Sequence, residues 1–217
     1  MTIHTEDLLN SILDSLDRIE YVKPEDIPNI DLYMDQVTTF MDSKLRSAAR
    51  YPDEDKILTK TMINNYAKND LLPPPIKKKY SKEHVLLLIF IYYYKSILSI
   101  NDIQTLLRPI TEQFFQNGKD FNLESIYEEV FGMEKGLVER LKKDVRLEFE
   151  ESGKMFEQAP EESREFLRRF SFICKLSFDV YVKKLLIEKM VDELAKEQDS
   201  TSEKKSGKDK HSKAETT

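Results

Sequence analysis

The run from Val85 to Tyr94, VLLLIFIYYY, sets ten apolar or aromatic residues in a row. A helix built from it has no polar side, so other elements must surround it. Ten residues is half of the roughly 20 that a membrane-crossing helix needs, so a buried core helix is expected and no membrane span. Ser81 supplies its N-cap, and the rest of the chain has to provide the cover.

Thr5 with Leu8, Leu9, Ile12, Leu13 and Leu16 predicts a capped amphipathic helix within residues 1–20. After the turn-forming KPEDIPNID, the residues Leu32, Val37, Phe40, Met41, Leu45 and Ala48 recur at helical spacing. After RYPDEDK, Thr59 caps a third helix with Ile63 and Tyr66 inward. That helix stops before Pro73, because proline lacks an N–H and restricts the residue before it. Pro73, Pro74 and Pro75 followed by Lys77, Lys78, Lys79 and Tyr80 read as a short, stiff, basic wing, at most a minimal hairpin. Ser99-Ile100-Asn101-Asp102 opens a further, short helix with Ile103, Leu106 and Leu107 on one face.

Beyond Pro109, Leu123, Ile126, Val130, Met133, Leu137, Leu141, Val145 and Phe149 predict one long amphipathic helix, weakened by Gly132 and Gly136. Pro160 opens another, with Phe166, Phe170, Ile173, Val180, Ile187, Val191 and Leu194 on one row and Leu167, Cys174, Tyr181 and Leu185 on a second. A helix apolar on more than one side needs a hairpin partner and a further cover, either the N-terminal domain or a second subunit. From Glu197 onward large apolar residues are absent and disorder is expected. The expected fold is all-α, in four parts: an N-terminal helix (1–20), a head (31–107), long C-terminal helices (110–196) and a tail (197–217).

Charge is segregated along the chain. Residues 1–55 carry 13 acids and 5 bases, whereas residues 56–82 carry seven lysines and one acid, Asp70, within a protein of net charge -6. A basic island in an acidic chain attracts polyanions locally while its surroundings resist indiscriminate binding. Asp53, Glu54 and Asp55, just upstream, are positioned in sequence to fold back over the island as an autoinhibitory screen. The first 20 residues lack a basic stretch followed by an apolar one, so no signal peptide is expected and a cytoplasmic location is.

Enzymatic chemistry finds little to stand on. Of three histidines, His4 and His211 lie near the termini and His84 opens the core helix. Acid pairs such as Glu128-Glu129 sit on helix faces that solvent covers. One cysteine, Cys174, excludes an internal disulfide and a multi-cysteine metal site. No phosphate-binding glycine loop occurs, and neither a cofactor nor a metal is expected.

The string Leu58-Thr-Lys-Thr-Met-Ile-Asn-Asn-Tyr66, then Leu71-Leu72-Pro73, Lys78-Lys79-Tyr80-Ser81 with Val85, and Leu98-Ser-Ile-Asn-Asp-Ile-Gln-Thr-Leu-Leu107 resembles the winged helix-turn-helix head of MerR-type regulators. The whole chain also resembles a family of low-GC Gram-positive bacteria defined only as a domain of unknown function. The resemblance departs at Asn64, where an arginine is usual, at Asn65, where a tyrosine is, at Asp70, where a glycine is, and at Lys78, where the wing has arginine.

Taken together, residues and resemblance imply a sequence-specific, dimeric DNA-binding transcriptional regulator. Lys60, Thr61, Asn64, Asn65 and Lys68 share one helical face, where asparagine can pair with an adenine edge and lysine with guanine or phosphate. Lys77, Lys78, Lys79 and the Tyr80 hydroxyl would engage flanking phosphates of double-stranded DNA. The resemblance implies a homodimer through residues 110–196 and a pseudo-palindromic target. Phe166, Phe170, Cys174 and Tyr181 are the candidate lining of a pocket for a small apolar effector. The alternative is a helical protein–protein interaction module whose MerR-like head no longer binds DNA.

Overall fold

The computed structural model describes residues 5–16 and 21–212, and it is helical apart from one small two-stranded sheet. In order these are α1 (Thr5–Leu16), β1 (Leu32–Tyr33), α2 (Met34–Leu45), α3 (Lys60–Lys68), β2 (Lys79–Tyr80), α4 (Lys82–Tyr94), α5 (Ile100–Phe114), α6 (Leu123–Gly132), α7 (Glu134–Gly153) and α8 (Glu161–Ser212). Among the described residues no helix is long and apolar enough to cross a membrane.

The apolar run makes α4 the hub. Every residue from His84 to Ile91 is buried, and α2, α3, α5 and α6 supply Val37, Met41, Ile63, Ile103, Leu107, Leu123 and Tyr127 to the same cluster. Burying each large side chain contributes roughly 1.5–3 kcal/mol, which explains why four amphipathic helices gather on one helix that has no wet face. Tyr127 closes the unit: its hydroxyl donates to the Val22 carbonyl at 2.7 Å, tying α6 to the segment before β1. The α4-centred core therefore includes α6.

Several sequence expectations need correction. Leu32 lies in β1 and not in the second helix: Leu32 pairs with Tyr80 and Tyr33 with Lys79 in antiparallel register. The helix expected to be short, α5, runs through Pro109 to Phe114. The long helix expected over 123–149 breaks at Met133 into α6 and α7, next to Gly132 and Gly136, whose backbone freedom disfavours helix. Residues 197–212 of the expected disordered tail continue α8 as helix, since extending an existing helix adds one hydrogen bond for each residue fixed. Thr5 is itself helical, within α1, and not a cap. The remainder of the N-terminal segment, 1–4 (with His4) and 17–20, and of the tail, 213–217, lies outside the described residues.

α8 packs against both α7 and α5, with Lys175 bonded to Glu151 of α7 and Gln198 to Thr105 of α5. Phe149 and Phe172 meet edge to face with centroids 5.4 Å apart. α1 buries Leu9 and Leu13, and Glu6 and Asp7 share a cleft with Phe149, Arg168 and Arg169 of the α7–α8 hairpin.

Candidate nucleic-acid interface

α3 begins at Thr59, whose hydroxyl oxygen accepts from the Met62 N–H at 3.1 Å. Ile63 and Tyr66 turn into the core, and the helical period then places Lys60, Thr61, Asn64, Asn65 and Lys68 outward, all exposed. The helix ends in a Schellman motif: the Leu71 N–H donates to the Tyr66 carbonyl at 2.9 Å and the Asp70 N–H to the Ala67 carbonyl at 3.4 Å. Asp70 sits at the left-handed position with φ 54°, which glycine adopts freely and an aspartate at a conformational cost.

Pro73, Pro74 and Pro75 carry the chain to a two-residue turn in which the Ile76 and Lys79 backbones exchange hydrogen bonds of 3.1 and 2.9 Å. Lys77 and Lys78 occupy its tip with φ 52° and 65°, the positive pair that defines a type I′ turn. Both side chains are exposed. Lys79 follows, its ammonium 5.2 Å from the centre of the Tyr33 ring.

Tyr80 leaves the contact set. It is 3% exposed, its ring lies edge-on to His84 at 5.5 Å, and burial pushes its hydroxyl pKa up; in β2, alternation turns Lys79 out and Tyr80 in. His84 anchors the wing from below. Its Nδ1 accepts the Ser81 N–H at 3.0 Å, the reciprocal arm of a capping box in which histidine takes the usual glutamate place. Its buried Nε2 faces the Pro74 and Pro73 carbonyls without closing a hydrogen bond to either. Burial lowers the imidazole pKa against the raising pull of those carbonyls and of Asp31.

The first turn of α2 joins wing and α3. Tyr33 pairs with Lys79, and Asp35, two residues on, forms an ion pair with Lys60. Tyr33 and Asp35 are absent from the sequence-based site because nothing local links them to residues 46 and 25 positions away. The expected screen by Asp53, Glu54 and Asp55 takes another form. Asp53 acts on Arg46, and Asp55 accepts from the Tyr51 N–H and faces Lys95; the acid at the α3 face is Asp35.

The effector residues do not form a pocket. Phe166, Phe170 and Tyr181 are 67%, 53% and 61% exposed on α8, and Cys174 is exposed as well. α7 covers the opposite side of this half of the helix, so these side chains project outward. Among the described residues no three His, Cys, Asp or Glu side chains converge as a metal site.

A family model described as Domain of unknown function (DUF1836) matches residues 22–130, half of the chain. The chain belongs to this family. No curated protein and no solved structure matches it. The DUF1836 region begins at Val22 and ends three residues after Tyr127, the pair whose hydrogen bond closes the α4-centred core. It holds the α3 face and the wing, and leaves α7 and α8 outside.

Proposed function

We propose that the protein is a dimeric, sequence-specific DNA-binding transcriptional regulator of the MerR-like type. The observation that carries this reading is the grouping of a capped helix with a polar outer face and a lysine-tipped type I′ wing on the same first turn of α2, through Lys60–Asp35 and Tyr33–Lys79. A helix exposing Asn64 and Asn65 suits base edges in a major groove. Flanking lysines suit phosphates and make affinity salt-dependent.

Dimerisation follows from α8. Phe166, Phe170, Ile173, Val180 and Ile187 form an exposed stripe that stops short of the buried Val191. A contiguous apolar stripe of this length exceeds what a monomer leaves in water, and a second copy of α8 fits it as a coiled-coil seam.

The test is titration into a mixed pool of duplex DNA at two salt concentrations, with a variant in which Lys60, Asn64, Lys77 and Lys78 are alanine. The reading requires salt-sensitive binding that the variant loses. Sedimentation of Ile173→Glu/Val180→Glu should show monomer where wild type is dimer. The α8 stripe also supports a second reading, a helical interaction module without DNA binding; wild-type dimers that ignore the DNA pool at both salts would establish it.

A further inference from the structure

In a helix-turn-helix the two helices are joined by three or four residues. Here residues 46–59 intervene between α2 and α3, and loops of this length inside a compact unit generally carry function. The insertion is folded down on the C-terminal end of α4. Ile57 and Leu58 are buried, the Lys95 ammonium donates to the Ile57 carbonyl at 2.8 Å, and Arg46 donates to the Pro52 carbonyl.

Between insertion and helix lies a cleft of about 460 Å³ lined by Arg50, Asp55, Lys56, Tyr92, Tyr93 and Lys95. Three cations and one carboxylate line it; the carboxylate accepts from the Tyr51 N–H at 3.0 Å, and the Arg50 guanidinium lies 5.2 Å from the centre of the Tyr51 ring. None of the three cations is ion-paired among the described residues, whereas Lys44, Arg46, Lys60 and Lys82 of the same head all are. Lys95 is the most constrained: half-buried, 4.6 Å from the centre of the Tyr92 ring, with a neutral carbonyl as its hydrogen-bond acceptor. Burial opposes its charge more than Asp55 supports it. A desolvated ammonium beside two further unpaired cations attracts an oxyanion, and the tetrahedral phosphate suits three separate donors. The tyrosine rings, at 5.7 Å and nearly perpendicular, offer an apolar wall for a planar group attached to it.

We propose that this cleft is a phosphate-binding site, its phosphate supplied either by a small phosphorylated ligand or by the backbone of a bound duplex. Only the second source rests on the DNA-binding reading. An occupant would bridge α4 to the insertion, whose Ile57 and Leu58 lead directly into Thr59, the cap of α3.

The experiment uses the full chain, the exposed pair Arg50→Ala/Lys56→Ala and, separately, Lys95→Gln. Thermal unfolding is followed with about 10 mM inorganic phosphate, adenosine 5′-monophosphate or adenosine, each matched in ionic strength with sodium chloride. A rise of about 2–4 °C with the monophosphate, less with phosphate, none with adenosine, and loss of the rise in both variants assigns a free phosphorylated ligand. No rise, but a duplex-binding salt slope smaller by about 2 in Arg50→Ala/Lys56→Ala, assigns the duplex backbone. No rise and an unchanged slope, or no rise in a protein that binds no duplex, overturns the site. The monophosphate arm contains no DNA, so it stands or falls apart from the DNA-binding reading.

Discussion

The Gln198 side-chain amide donates a 3.0 Å hydrogen bond to the Thr105 carbonyl, which is the acceptor that Pro109, four residues on inside α5, cannot use. The proline opens a gap in the α5 ladder and α8 fills it from outside. This bond joins the head to the C-terminal helix. Gln198→Ala should cost about 1 kcal/mol in urea unfolding, because it leaves a half-buried carbonyl without its donor. In a Pro109→Ala background, where residue 109 regains its N–H, the cost should shrink. An equal cost in both backgrounds would refute the coupling.

Asp70 carries the C-terminus of α3 at φ 54°. Asp70→Gly should stabilise the protein by about 1 kcal/mol, by removing the side-chain clash of the left-handed conformation. Asp70→Ala separates conformation from charge: it loses the carboxylate but keeps the clash, so it should give no gain. Equal gains from both variants would assign the effect to electrostatics.

The wing tip sets stability against binding. Lys77 and Lys78 hold the two positive-φ positions of a turn that favours Asn-Gly. Lys77→Asn/Lys78→Gly should raise the unfolding free energy by about 1 kcal/mol and, under the proposed function, weaken duplex binding and flatten its salt dependence. Unchanged duplex affinity with raised stability would remove the wing from the interface.

His84 makes stability depend on pH in a definite direction. Its folded pKa lies below the ordinary 6.5 because of burial, so between those values the unfolded chain binds the proton more readily. Stability from this group is therefore complete above pH 6.5 and falls as the pH drops toward the folded value. His84→Gln retains a side chain able to accept from the Ser81 N–H but cannot titrate. Its stability should vary less over that window, measured as the slope of unfolding free energy against pH and not its level. A variant slope as steep as wild type would place the titration elsewhere.

Much of the head could be read in one dimension. The helices around α4 announce themselves by apolar period and by caps such as Thr59 and Ser99, because these signals operate within one or two turns of chain. The outward face of α3 follows from Ile63 and Tyr66 facing inward. Tyr80 did not follow, since a lysine-rich string gives no sign of which strand residue turns to the core until β1 pairs with β2. The effector residues failed similarly: aromatic spacing on α8 marks an apolar face but not what covers it.

Local order, charge segregation and the polar face of α3 were consequences of neighbouring residues alone, and the chain order carried them unaided. Folding decided the rest. Lys60 meets Asp35, Gln198 meets Thr105, and Lys95 meets the Ile57 carbonyl across 25, 93 and 38 residues. Such pairs have no sequence period, because each forms only after the apolar faces of separate helices have closed on α4 and brought distant polar groups within hydrogen-bonding reach.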